Sequence, residues 1–198
     1  IKCDNPPKSW EELLSGEYEN KLAIPVLDLD MYDALIITIF DKFGIKGIEN
    51  LSKAYKESMH PAQMLKSNDM DIAIMPYFFA SLVDEKKQAV LWPKDGAIVS
   101  PLFFLIKKGK EEELKPIIEI ILGKDLSEKI SANGKFPATS PYAINNLGEK
   151  NKFMFASWDV IYRKNIREDL EKYSGIRNIE ENKIKTSYIN IQKDSYNI

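Results

Sequence analysis

Three aromatic residues follow a proline at the end of an apolar run: Met75-Pro76-Tyr77-Phe78-Phe79. Pro76 cannot continue a central strand, so it ends one. A phenol and two phenyl rings at such a point can pack inward, or they can hydrogen-bond to and stack on a small molecule. A second group of side chains lies in Ser58-Met59-His60 before Pro61, which favours the first turn of a helix. Free N–H groups there attract polar or anionic groups, so Ser58 and His60 join Tyr77 and Phe78 as candidate contacts. The third group, "LDLDMYDA" (27–34), connects a strand end to a helix start. Ligands of open α/β sheets lie beyond strand C-termini, which makes Asp28, Asp30, Met31 and Tyr32 candidates. Asp28 or Asp30 can equally cap the helix. If one aspartate caps and the other is free, the site favours a cation or a metal.

Around these groups the chain reads as alternating helices and strands. Ser9, with Glu12 three residues on, forms a capping box for a short helix that ends near Gly16. "KLAIPVL" (21–27) predicts a buried strand. Helical spacing predicts a helix over 28–44, closed by Gly44, and another over 47–58. A short helix after His60, a strand over 70–76, a helix or tight turn over 77–86 and a strand over 88–93 follow. Asp95-Gly96 predicts a turn. A long apolar strand within 94–109 and helices over 111–123 and 125–134 come next. After the Pro/Ser-rich loop from residue 135, the 151–175 stretch holds an apolar segment around Trp158 and then a charged amphipathic helix. From about Ile179 the chain is polar, which predicts a tail over 179–198. This order predicts an α/β class with helices on both sheet faces.

Composition removes several functions. The chain has 198 residues, 44% hydrophobic and 29% charged, with a formal net charge of −2. That balance builds a core but gives no basic field for nucleic acid. One cysteine, Cys3, allows neither an intrachain disulfide nor a cysteine-rich zinc site, and His60 is the one histidine. No HEXXH, GxGxxG, GxSxG or P-loop string occurs, and no nucleophile–base pair stands out. No enzyme and no cofactor are expected, and no apolar run reaches bilayer-spanning length. The opening "IKCDNPPKSW" shows neither a signal peptide nor a starting Met, and it reads like the middle of a longer protein.

Several strings together resemble one family. They are "PKSWEELLSGEYENKLAIP" (7–25), "DMDIAIMPYFFA" (69–80), "LWPKDGAIVSP" (91–101), "KFPATSP" (135–141) and "FASWDVIYRKNIREDLEKY" (155–173). Their order and spacing resemble the C-terminal part of type 2 periplasmic solute-binding proteins of ABC importers, and most closely the ferric-iron-type branch. The likeness covers about residues 5–178. It implies a type 2 periplasmic-binding-protein-like α/β fold of two lobes. Residues 1–95 would be the second lobe and 96–178 the return to a first lobe that is incomplete. The incomplete lobe would expose a sheet edge and an apolar face.

The resemblance implies capture of a small molecule or a metal complex, iron included, in an interlobe cleft, and delivery to an ABC permease in the membrane. It implies an extracellular or periplasmic protein, with a lipid anchor possible on the full-length chain, and a hinge at Asp95 and Gly96. In the ferric branch, two adjacent tyrosines at the Tyr77-Phe78 position ligate iron. Here the second is Phe78, so a non-ferric ligand or an iron chelate fits better than a bare ferric ion, and any metal ligands stay unknown. A cytoplasmic ligand-sensing effector module of a regulator with the same fold is the alternative reading.

Overall fold

The computed structural model describes residues 4–26, 29–133, 136–145, 147 and 151–195. The first helix, α1 (Trp10–Leu13), starts as its sequence dictates. Ser9 Oγ accepts from the Glu12 N–H at 3.0 Å, and the Glu12 carboxylate accepts from the Lys8 N–H at 2.7 Å. The chain then forms β1 (Leu22–Ala23), the long helix α2 (Leu29–Ala54), β2 (Tyr55–Glu57), α3 (Pro61–Met64) and β3 (Ile72–Ala73).

The three strands make a parallel sheet in the order β2-β1-β3. Pairing sets Leu22 opposite both Tyr55 and Ile72. The ladder continues through hydrogen bonds from Ile24 N to Glu57 O at 3.2 Å and from Ile74 N to Ala23 O at 3.0 Å. Helix α2 breaks at Gly44, whose φ of 66° and ψ of −165° lie outside helical space. A residue without Cβ adopts that conformation without strain, so the first helical run stops at Gly44 as expected, and a second run continues to Ala54 within the same segment.

Beyond β3 come a 3-10 helix (Tyr77–Leu82), β4 (Ala97–Ile98), α4 (Glu111–Ile121), α5 (Lys124–Asn133) and β5 (Phe153–Met154). Last are α6 (Trp158–Ile161), α7 (Ile166–Ser174) and α8 (Ile176–Ser195). Strands β4 and β5 form a second, parallel pair. Leu22, Ile24 and Val26 bury against Leu35, Ile36, Ile39, Ile48 and Leu51 of α2, and Leu170 and Ile176 join the same core. The chain after residue 158 therefore packs back onto the sheet of its first third.

Four expected elements differ. Residues 55–57 are a strand rather than the end of a helix, because β1 supplies a ladder partner that local helical spacing does not reveal. Residues 88–93 form no strand, and Val90 and Leu91 are exposed. The long apolar strand shrinks to Ala97–Ile98, with Val99 N still donating to Met154 O at 2.9 Å. Leu102, Phe103, Phe104 and Leu105 beyond it are 48–87% exposed, and α4 buries none of its residues. Finally, the expected polar tail is helical: α8 runs from Ile176 to Ser195. Its start is fixed by Glu171 Oε1, which accepts from Arg177 N at 2.7 Å and Asn178 N at 3.2 Å.

Asp41 joins α2 to the entrance of α6. Its carboxylate accepts from Ser157 Oγ at 2.7 Å, Ser157 N at 3.0 Å and Lys42 Nζ at 2.7 Å. Burial pushes the Asp41 carboxyl upward, but the Lys42 ammonium and the Ser157 donors outweigh it and hold the group below its ordinary 3.8. A carboxyl depressed by folding stabilises above its unfolded pKa and loses that contribution as pH falls through the folded one. Asp41→Asn is thus expected to cost stability at neutral pH, with the gap to the parent closing well below pH 3.8. Thermal unfolding of both proteins across that range checks this; a gap independent of pH would refute it.

Candidate functional site at the strand edge

Because β1, β2 and β3 run parallel, the loops leaving their C-terminal ends emerge on one edge of the sheet. The chain steps from β1 to β2 on one side and then returns past β1 to β3 on the other. Such a reversal of strand order opens a crevice between the loops, where small molecules bind in open α/β sheets.

Named contacts draw the three loops together. Val26 N, after β1, donates to Ser58 Oγ, after β2, at 3.1 Å. The His60 ring meets the Phe79 ring edge-on, with centroids 5.9 Å apart. His60 is also the N-cap of α3: its Nδ1 accepts from Ala62 N at 3.2 Å. In the neutral ring the proton then sits on Nε2, which is a donor. Ser58 is half-buried and His60 exposed.

Tyr77 and Phe78 open the 3-10 helix after β3. Tyr77 meets Trp92 edge-on at 5.5 Å, and Trp92 meets Phe153 of β5 in the same way at 5.6 Å. Phe78 is exposed, lies 4.4 Å from Phe79, and stacks on Phe136 at 5.7 Å with an interplanar angle of 30°. Beside Tyr77 lies an open cavity of about 410 Å³, where Glu85 and Gln88 stand over Ala80, Val83 and Val90. No local pattern marks Glu85, Gln88 and Phe136, because the first two lie in a polar stretch that looks like solvated surface and the third in an irregular loop.

The first loop contributes less than expected. Asp28 lies outside the described residues, as does the side chain of Asp30, whose backbone belongs to the first turn of α2. Met31 is half-buried there. Tyr32 is fully buried, and its hydroxyl is 3.1 Å from Ser174 Oγ and 3.2 Å from Glu171 Oε2. Burial, together with the Glu171 carboxylate, raises its pKa above the ordinary tyrosine range. Tyr32 is therefore a core residue tied to α7 and not a contact at the strand edge.

Asp95 and Gly96 dock onto α1. The Asp95 carboxylate accepts from Trp10 N at 2.8 and 3.1 Å and from Glu11 N at 3.3 Å, while the Trp10 indole donates to Gly96 O at 2.8 Å. Among the described residues, no three His, Cys, Asp or Glu side chains gather as a metal cluster would require. No helix among them is long and apolar enough to cross a membrane.

A parallel sheet with a reversal of strand order and facing loops is the arrangement at which open α/β proteins bind their ligands. The family model for bacterial extracellular solute-binding protein matches residues 1–164, and the chain belongs to that family. No curated protein and no solved structure gives a significant match. Family membership supports a solute-binding role outside the cytoplasm.

Proposed function

We propose that the chain is the solute-capturing component of an ABC importer, which holds a small solute at the β1–β3 strand edge and hands it to a membrane permease. The observation that supports this reading is that Ser58 and His60 follow β2 while Tyr77 and Phe78 follow β3 at the same edge of a parallel sheet, with the loops linked through the Val26–Ser58 bond and the His60–Phe79 contact. Asp28, Asp30 and Met31, at the passage from β1 into α2, complete the proposed contact set. Such a protein binds and releases without turnover, works outside the cytoplasmic membrane, and can be held there by a lipid on a longer chain.

Two lobes fit this role. Residues 1–95, with α7 and α8 packed on them, make the second lobe; the chain from 96 onward enters the first. Asp95 and Gly96 stand at the crossing, where closure would turn. The exposed Leu102–Leu105 run and the unburied α4 support a first lobe that needs further βα units to cover it. A continuous apolar run is what a parallel strand buried on both faces requires. The ferric-type resemblance keeps iron complexes among the solutes. Tyr77 followed by Phe78 offers one phenolate where a bare ferric ion asks for several hard anionic donors.

Native mass spectrometry with elemental analysis of gently purified chain tests the proposal. A bound mass that leaves on denaturation is the expected result. Tyr77→Phe, which removes one hydroxyl, is expected to weaken that solute by about tenfold. Unchanged affinity in Tyr77→Phe would sink the placement of the site.

A further inference from the structure

We infer that the cavity beside Tyr77 selects a small organic cation, an amine or a guanidine on a short hydrocarbon body. This rests on the solute-binding reading of the strand edge and adds the chemical class of the solute.

The cavity holds about 410 Å³, within the range of small-molecule sites at roughly 300–1,000 Å³. Ala80, Val83 and Val90 give it apolar walls. Its polar groups point to one sign of charge. Glu85 supplies the single formal charge in the lining, a carboxylate that only accepts hydrogen bonds. Gln88 Nε2 donates one of its two N–H groups to Leu65 O at 2.8 Å, which fixes the amide and leaves its carbonyl oxygen as an acceptor beside the second N–H. Tyr77 adds a phenol and an aromatic ring, held edge-on by Trp92.

A lining with one carboxylate, an amide carbonyl, an aromatic face and hydrocarbon matches an ammonium or guanidinium group, which brings several N–H donors, pairs with the charge and is drawn to a ring face. An anion would face Glu85 with like charge. A neutral alcohol would satisfy the hydrogen bonds and gain nothing from the charge.

Calorimetric titration at low salt with 1,4-diaminobutane tests this, alongside 1,4-butanediol and succinate, which share its four-carbon skeleton. The diamine is expected to bind at least tenfold more tightly than either. Glu85→Gln is expected to lose about tenfold to a hundredfold in diamine affinity, as removal of a charge-assisted bond does. Its thermal melt is expected to match the parent, because Glu85 is exposed. Equal diamine affinity in Glu85→Gln, equal binding of the diol or succinate, or no diamine binding overturns the cationic class. If the diamine fails while a co-purified solute is bound and is weakened by Tyr77→Phe, the class falls and the solute site stands. If no solute of any kind binds, both fall.

Discussion

Gly96→Ala is expected to be among the most damaging substitutions of one methyl group in this chain, lowering stability by about 3 kcal/mol. Two effects combine. Gly96 has a φ of +127°, which an L side chain rarely adopts. A Cβ there would lie 2.9 Å from the Phe153 carbonyl carbon and 3.1 Å from its oxygen, and both are backbone atoms of β5 that cannot rotate away. The added carbon would push β4 off β5 and would disturb the Gly96 carbonyl that receives the Trp10 indole. Denaturant unfolding reads the loss. Amide exchange should localise it at Ala97 and Val99, whose N–H groups donate to Lys152 O and Met154 O. A variant as stable as the parent, with unchanged protection at these two amides, would show that the β4–β5 contact is not held as closely as described.

Glu171→Ala is the second large effect, about 3 kcal/mol, with the visible damage at the chain's C-terminal helix. Each oxygen of this carboxylate has a separate task. Oε2 binds the Tyr32 hydroxyl at 3.2 Å and Ser174 Oγ at 2.9 Å. Oε1 accepts the first amides of α8, from Arg177 and Asn178. Alanine leaves a buried phenol short of an acceptor and a helix start without its cap. Arg177 also pairs with Asp33 at 2.6 Å, so loosening α8 weakens its hold on the N-terminal part of α2. Hydrogen exchange should accelerate at Arg177 and Asn178, and Glu171→Gln, which keeps one acceptor oxygen, should recover part of the loss. Unchanged exchange at both amides would contradict the capping role.

Much of the fold was legible wherever the deciding interaction spans a few residues. Ser9 with Glu12, Gly44, and His60 with Pro61 all mark element ends that the structure contains, because capping and backbone strain act within one turn. Tyr55-Lys56-Glu57 was read as helix because its strand partner, Leu22-Ala23, lies more than thirty residues away. The candidate site divides in the same way. Pro76 stands at the N-cap of the 3-10 helix that carries Tyr77 and Phe78, while β3 itself ends earlier, at Ala73. Nothing near Tyr32 shows that Glu171 and Ser174 take up its hydroxyl. Glu85 and Gln88 carry no local sign that they border Tyr77's cavity.

Local sequence alone sufficed for the α/β class, the main helix starts and stops, the lack of familiar catalytic strings, and the place of Tyr77 just beyond an apolar run. Those follow from propensity, capping and periodicity, which are properties of short stretches. Tertiary structure alone decided the strand order β2-β1-β3, the return of α7 and α8 to the core, the docking of Asp95 onto α1, and the company around Tyr77. Each of these joins residues far apart in the chain. Whether such contacts form depends on burial and hydrogen bonds gained against the loop-closure entropy lost, a balance that no local stretch encodes.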